Sequence, residues 1–197
     1  MIPENIRVIL ASKSPRRREL LGEILPAFEI IVRDVDESLP DTVHPREGVE
    51  ILAVRKGAAV AESLGADCLV ISSDTLVELG GIPLGKPRDA ADAHRMLRTL
   101  SGEVHNVHTG VAVHYRGHVY SGVDSTAVEF RSLTDREIDD YIATGEPMDK
   151  AGAYGIQGLG GALVAGYRGD FDTVVGLSVR LTRELIALAL TEENTND

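Results

Sequence analysis

The stretch "VILASKSPRRRELL", Val8 to Leu21, holds a strand, a turn and the start of a helix in fourteen letters. Ile6–Ala11 is a short continuous apolar run, the pattern of a buried strand. Pro15–Leu25 carries Leu20, Leu21, Ile24 and Leu25 at helical spacing. Ser14 and Pro15 mark the helix start: a hydroxyl that can cap free N–H groups, then a proline whose fixed φ suits the first turn. Arg16, Arg17 and Arg18 then fall at the helix N-terminus, where each cation costs about 0.3–1 kcal/mol against the helix dipole. Two readings stand for them. In one the side chains fan out into solvent. In the other a bound anion cancels the penalty, because free N–H groups, the dipole and guanidinium forks together make a phosphate site. Consecutive helical residues point about 100° apart, so at most two of the three can face one ligand.

Outward from this unit the pattern stays mixed. Phe28–Val32 reads as a second strand, Glu47–Leu64 as a long amphipathic helix and Asp67–Ser73 as a third, buried strand. Leu76–Leu79 and Ile82–Leu84, separated by Gly80 and Gly81, read as a hairpin. Arg88–Leu100 is helical, with Ala91, Met96, Leu97 and Leu100 expected on its inner face. Val107–Tyr115 and His118–Phe130, joined at "RGH", make a long antiparallel pair. Thr134–Thr144 opens with a capping box, Thr134 and Glu137. "GIQGLGGALVAG" is a glycine-rich loop leading into a short strand, Val174–Leu190 a C-terminal helix and "TEENTND" a polar tail. The chain shows no repeat or low-complexity linker, so a single domain over 1–197 with a mixed α/β sheet is expected.

Composition excludes several classes. Hydrophobic residues make up 43% and aromatics 4%, with no Trp, so the core is mostly Val, Ile, Leu and Ala. That usage does not suit a stacking platform for single-stranded nucleic acid. A net charge of −11 repels polymeric nucleic acid and anionic membranes alike. A small anion in a local basic pocket stays open. Cys68 is the sole cysteine, so no intrachain disulfide can form; within "DCLVISSD" it reads as a buried small hydrophobe, with a reactive thiol as the rival. The N-terminal segment lacks the pattern of a signal peptide, and no run reaches the roughly 18 apolar residues of a membrane span. A cytoplasmic location is expected.

Several residues are out of place for a bland core. Lys56 falls in phase with Val49, Leu52, Ala53 and Val60, so its amine either snorkels to water or reaches into a cleft. Asp74 closes the apolar run "CLVISSD". If that strand is parallel to Ile6–Ala11, Asp74 shares the carboxyl edge of the sheet with Ser12–Arg17, where α/β proteins collect ligands. There a carboxylate can hold a metal or take a proton from water, or simply cap a turn. Asp34, Asp36 and Glu37 in "RDVDES" offer hard oxygen ligands suited to Mg²⁺ or Mn²⁺, or are merely solvated. "GGIPLGKP" imitates a P-loop, but Pro87 stands where Ser or Thr would hold Mg²⁺ and a hairpin surrounds it, so the P-loop is rejected while Lys86 stays a candidate phosphate-facing amine. The glycines at 155, 158, 160 and 161 fail the dinucleotide fingerprint. Gln157 among them is a turn residue or a reader of a base edge. His105 and His108 are too few for a zinc site.

Taken in order, "LASKSPRRRELL", "DVDES", "SSDT", "GKP", "LSGEVHNVHTG" and "DKAGAYGIQGLGG" resemble the Maf family of nucleoside triphosphate pyrophosphatases, from Val8 to about Leu177. The resemblance implies an elongated mixed sheet flanked by helices, related to inosine triphosphatases, and a divalent cation, Mg or Mn. It implies hydrolysis of a nucleoside triphosphate to the monophosphate and pyrophosphate, and a homodimer. By position it makes Asp74 the proton acceptor. It gives Arg17, Lys56 and Lys86 to the phosphates and places Glu37 with Asp74 near the metal. Arg16, Thr75 and Gln157 become the residues that set base specificity, in the dTTP/UTP branch, with contacts from Ser12 and Ser14. Two departures are visible: "TVVGLS", Thr173 to Ser178, stands where an Asn and a Pro are expected, and Gly57 follows Lys56 where Ala is usual. A phosphotransferase and a non-catalytic nucleotide-binding regulator of cell division are the rival functions.

Overall fold

β1 (Arg7–Leu10) lies between two parallel neighbours, β2 (Glu29–Ile30) and β3 (Cys68–Leu79), with Leu10 opposite Ile30 on one side and Ile71 on the other. The computed structural model describes residues 2–3, 6–65 and 67–191, so the polar tail beyond Thr191 lies outside the described residues. After β1, α1 (Pro15–Gly22) is shorter than its apolar spacing predicts. Gly22 disfavours continuation, and Leu25 precedes Pro26, which pushes the backbone away from the helical region. The second strand is likewise only two residues long. α2 (Pro45–Leu64) starts earlier than expected because Pro45 takes the first helical position and the His44 ring accepts from the Arg46 N–H at 3.2 Å.

β3 corrects the reading of a strand that ends at Asp74. It is a single strand of 12 residues that continues into the hairpin with β4 (Ile82–Leu84), Leu79 opposite Ile82. Its parallel neighbour stops at Leu10, opposite Ile71, so the polar residues that follow need no apolar cover from that strand. α3 (Ala90–Leu100) is capped by Asp89, whose side chain accepts from the Asp92 N–H at 2.8 Å. Its buried apolar face is Ala93, Met96, Leu97 and Leu100, an i, i+3, i+4, i+7 set; Ala91 is out of that phase and exposed, contrary to expectation. β5 (Val104–Tyr115) and β6 (His118–Phe130) are joined by Arg116 and Gly117 at φ 49° and 80°, the two left-handed residues of a tight hairpin turn. α4 (Asp135–Ala143) opens with the expected capping box. Three short 3₁₀ turns, at Glu146–Asp149, Ala151–Ala153 and Leu159–Leu163, lead into β7 (Val164–Arg168). The expected C-terminal helix is two, α5 (Phe171–Val175) and α6 (Val179–Thr191), because Gly176 at φ 128° interrupts it.

The strands form one mixed seven-stranded sheet in the order β2-β1-β3-β5-β6-β7, with β4 paired to β3. The chain divides into two compact units, Met1–Asp74 with Thr109–Asp124 and Gly176–Asp197, and Thr75–His108 with Ser125–Val175. The first packs Ile9, Ala11, Val60, Cys68 and Val70 together, so Cys68 is the buried small hydrophobe. The second has its own core, including Leu97, Leu100, Val128, Phe130, Ile138 and Tyr154. No helix among the described residues is long and apolar enough to cross a membrane.

Candidate active site

The three arginines separate by role. Ser14 is the N-cap of α1, in extended backbone, and its hydroxyl accepts from the Arg17 N–H. Ser12 is buried and its hydroxyl accepts from the Ser14 N–H at 3.2 Å, which fixes the bend between β1 and α1. Arg18 is exposed and Arg16 half-buried. Arg17 turns inward: its Nε donates to the Gly176 carbonyl at 2.9 Å and its Nη1 to the Ser73 carbonyl at 2.6 Å. Two main-chain oxygens thus offset the charge that the helix dipole opposes. Burial lowers the Arg17 pKa, and the nearby Asp74 carboxylate pulls it back up.

Strand periodicity sorts the next residues. Along β3, Ser72 and Asp74 point to one face, Ser73 to the other. On the first face Ser72 Oγ donates to the Ala53 carbonyl of α2 at 2.7 Å, and one helical turn on, Lys56 Nζ reaches Asp74 Oδ1 at 2.6 Å. The Lys56 amine therefore does not snorkel; it is directed at the carboxylate, with both side chains largely buried (17% and 14% exposed). Glu37 Oε1 completes the cluster 3.1 Å from the same ammonium. On the opposite face Ser73 Oγ donates to the Gly176 carbonyl at 2.9 Å, so that one oxygen accepts from Ser73 and Arg17 together.

The acidic run splits. Asp36 closes its own turn, accepting from the Ser38 N–H at 2.9 Å and hydroxyl at 2.8 Å, and these bonds lower its pKa. Asp34 lies 4.0 Å from Lys13 and fully in solvent. Arg55 of α2 donates to the carbonyls of Asp36 and Ser38, which ties the loop carrying Glu37 to the helix carrying Lys56. Sequence reading missed Arg55, Ser73 and Gly176. Arg55 and Ser73 act on main-chain oxygens, and Gly176 supplies one, so these contacts leave no mark in a sequence.

The expected site residues are thus divided. Ser12, Ser14, Arg16, Arg17, Glu37, Lys56 and Asp74 belong to the first unit; Thr75, Lys86 and Gln157 to the second. There Thr75 is half-buried on β3, directly after Asp74 in the chain, and Lys86 is exposed just past β4. The Gly85 carbonyl accepts from the Gly152 N–H at 3.0 Å, anchoring the Lys86 segment to the turn that precedes Gln157. Gln157 itself is exposed.

No cluster of three or more His, Cys, Asp and Glu side chains among the described residues could hold a metal ion. Glu37 and Asp74 converge on one point occupied by the Lys56 ammonium, which marks a place where positive charge is balanced. These two carboxylates could supply two oxygen ligands to a hard cation such as Mg²⁺, which commonly keeps several of its own waters.

A carboxylate, an ammonium and a capped, arginine-bearing helix start at the carboxyl end of β1 are the equipment of an α/β protein that handles a small anion. The fold is of the class seen in the Ham1 protein of Staphylococcus aureus, which is 17% identical with a TM-score of 0.54, over 97% of this chain and 100% of that one. The chain belongs to the Maf family: the model described as "Maf-like protein" matches residues 7–189. A protein of Moorella thermoacetica called a dTTP/UTP pyrophosphatase is 50% identical over 184 residues, 92% of this chain and 94% of its own length. One of the same name from Alkaliphilus metalliredigens is 49% identical over 175 residues, covering 88% and 91%. Another, from Vibrio cholerae, is 47% identical over 180 residues, covering 91% and 96%.

Proposed function

We propose that this chain hydrolyses dTTP and UTP to the nucleoside monophosphate and pyrophosphate. The observation that carries the chemistry is the Lys56–Asp74 pair at 2.6 Å, with Glu37 at 3.1 Å from the same amine, beside the start of α1. The substrate class rests on likeness to relatives that bear that name over nine-tenths of the chain. In this reading Asp74 accepts the proton of a water whose oxygen attacks the α-phosphorus. The bond from that phosphorus to the oxygen bridging to the β-phosphorus breaks, and pyrophosphate departs with the electron pair. Lys56, Lys86 and Arg17 offset the charge gathering on the leaving group, and Ser12 and Ser14 donate to the phosphates. Arg16, Thr75 and Gln157 select the base. Glu37 and Asp74 would hold a divalent cation, Mg or Mn, which neutralises phosphate charge when bound. A homodimer and a cytoplasmic location belong to the same reading; light scattering on the purified protein checks the first.

Pyrophosphate release from dTTP, UTP, CTP, ATP, GTP and 7-methyl-GTP, with Mg²⁺, Mn²⁺ or EDTA, tests it. Metal-dependent release strongest with dTTP and UTP is expected. Asp74→Asn should lower kcat at least about a hundredfold, the low end of a general base's contribution. Binding without release from any nucleotide would overturn the reaction and favour a nucleotide-binding regulator. Preference for another base would overturn the selection trio alone.

A further inference from the structure

The glycine-rich segment from Gly155 to Gly161 matches no nucleotide fingerprint, yet a single buried-edge carboxylate organises it. Glu146 Oε2 accepts from the Leu159 N–H at 2.9 Å and Glu146 Oε1 from the Gly160 N–H at 3.1 Å. Tyr141, buried on α4, donates its hydroxyl to Glu146 Oε1 at 3.0 Å and accepts from the Gly155 N–H at 3.1 Å. Both ends of the segment are therefore held by one Tyr–Glu pair, and Gln157 lies between the two anchored ends. The glycines explain themselves by space. A Cβ on Gly158 would come within 2.5 Å of Glu146 Oε1, and one on Gly160 within 2.6 Å of the Tyr141 hydroxyl. Lys150 adds a third tie, donating to the Glu146 carbonyl at 2.7 Å. None of these bonds uses the Gln157 amide, which is left exposed.

We propose that Glu146 and Tyr141 are positioning residues for base selection: by pinning the main chain on either side of Gln157 they fix where its amide can meet the edge of a pyrimidine. The inference rests on the reading of Gln157 as a base-contacting residue, and it adds two residues that touch neither the base nor the phosphates. A carboxylate accepting two main-chain N–H groups and a hydroxyl has both of its oxygens hydrogen-bonded. Replacing it by an amide turns one acceptor into a donor facing a donor, so the loop must rearrange. Consistent with those bonds, the Glu146 pKa is lowered despite partial burial, and burial raises that of Tyr141.

The test compares kcat/KM for UTP and CTP, whose bases differ at the 4-position, in the full chain and in Glu146→Gln, Tyr141→Phe and Gln157→Ala. The UTP to CTP ratio should fall roughly tenfold in Gln157→Ala, the worth of one hydrogen bond. It should fall in the same direction in Glu146→Gln and Tyr141→Phe, with kcat for UTP reduced less than the ratio. Adding Tyr141→Phe to Gln157→Ala should change the ratio no further. If Gln157→Ala lowers the ratio while the other two leave it unchanged, or slow both substrates equally, the positioning role is overturned and Gln157 keeps its own. An unchanged ratio in Gln157→Ala would instead overturn the reading of Gln157, and this inference with it. Tyr141→Phe, which removes one oxygen and keeps the ring in the core, guards against a Glu146 variant that fails to fold.

Discussion

Gly57 shows what one residue can reveal and what it conceals. The sequence marks it as unusual, since Ala commonly follows the lysine in the resembling family, but not why. A Cβ at this position would lie 2.5 Å from His114 Nε2 and 2.6 Å from Ser72 Oγ, so the missing methyl is the space that a buried histidine on β5 occupies. The explanation sits in a different element, which is why a single sequence cannot supply it. Lys56 was legible as an anomaly, an amine on an apolar face that either snorkels or reaches into a cleft, but its counter-charges, Asp74 and Glu37, come from other elements and only the structure pairs them. Gly57→Ala should destabilise the protein by about 1–3 kcal/mol, the usual cost of overpacking. In the His114→Ala background the penalty should shrink without vanishing, since the histidine is gone but Ser72 Oγ still stands 2.6 Å from the added Cβ. Denaturant unfolding of the four proteins measures the coupling, and equal penalties in both backgrounds would show that His114 is not the obstacle.

Among elements, turns and the caps at Ser14 and Thr134 were read well and interruptions poorly. The capping box at Thr134, the hairpin at Gly80 and Gly81 and the long β5–β6 pair are written in local residues, and each is present. The break between α5 and α6 is not, because apolar periodicity runs on through it. Gly176 adopts φ 128°, which an L side chain rarely takes, and its carbonyl accepts from both Ser73 Oγ and Arg17 Nε at 2.9 Å. The bend is thus what turns that oxygen toward the residue next to Asp74. Gly176→Ala should cost about 1–3 kcal/mol through backbone strain. By loosening Arg17 it should also raise KM for UTP more than it lowers kcat, since a misplaced phosphate ligand weakens binding first. Thermal melts and steady-state kinetics together decide the matter. A variant that loses stability with KM unchanged would confine Gly176 to the fold.

At the scale of the whole molecule two consequences of acidification oppose each other. The net charge of −11 means that lowering the pH first relieves self-repulsion, a small stabilising effect spread over the surface. Against it stands His105, fully buried in the second unit, its Nε2 bonded to the Tyr154 hydroxyl at 2.8 Å and its ring edge-on to Phe130 at 5.0 Å. Desolvation holds its pKa down to about 4. An unfolded histidine titrates near 6.5, so between these values the unfolded chain binds a proton that the folded one refuses. The stability conferred by the neutral ring is complete above about pH 6.5 and is lost as the pH falls from there through about 4. At 1.36 kcal/mol for each pKa unit the loss is about 3 kcal/mol. His114, depressed by desolvation in the same direction, steepens it. A localised loss of that size outweighs the diffuse gain, so the melting temperature should decline across this window. His105→Gln, neutral at every pH and able to keep a bond to Tyr154, should lower the melting temperature at pH 8 but flatten its decline between 6.5 and 4. An equally steep decline in that variant would move the cause away from His105.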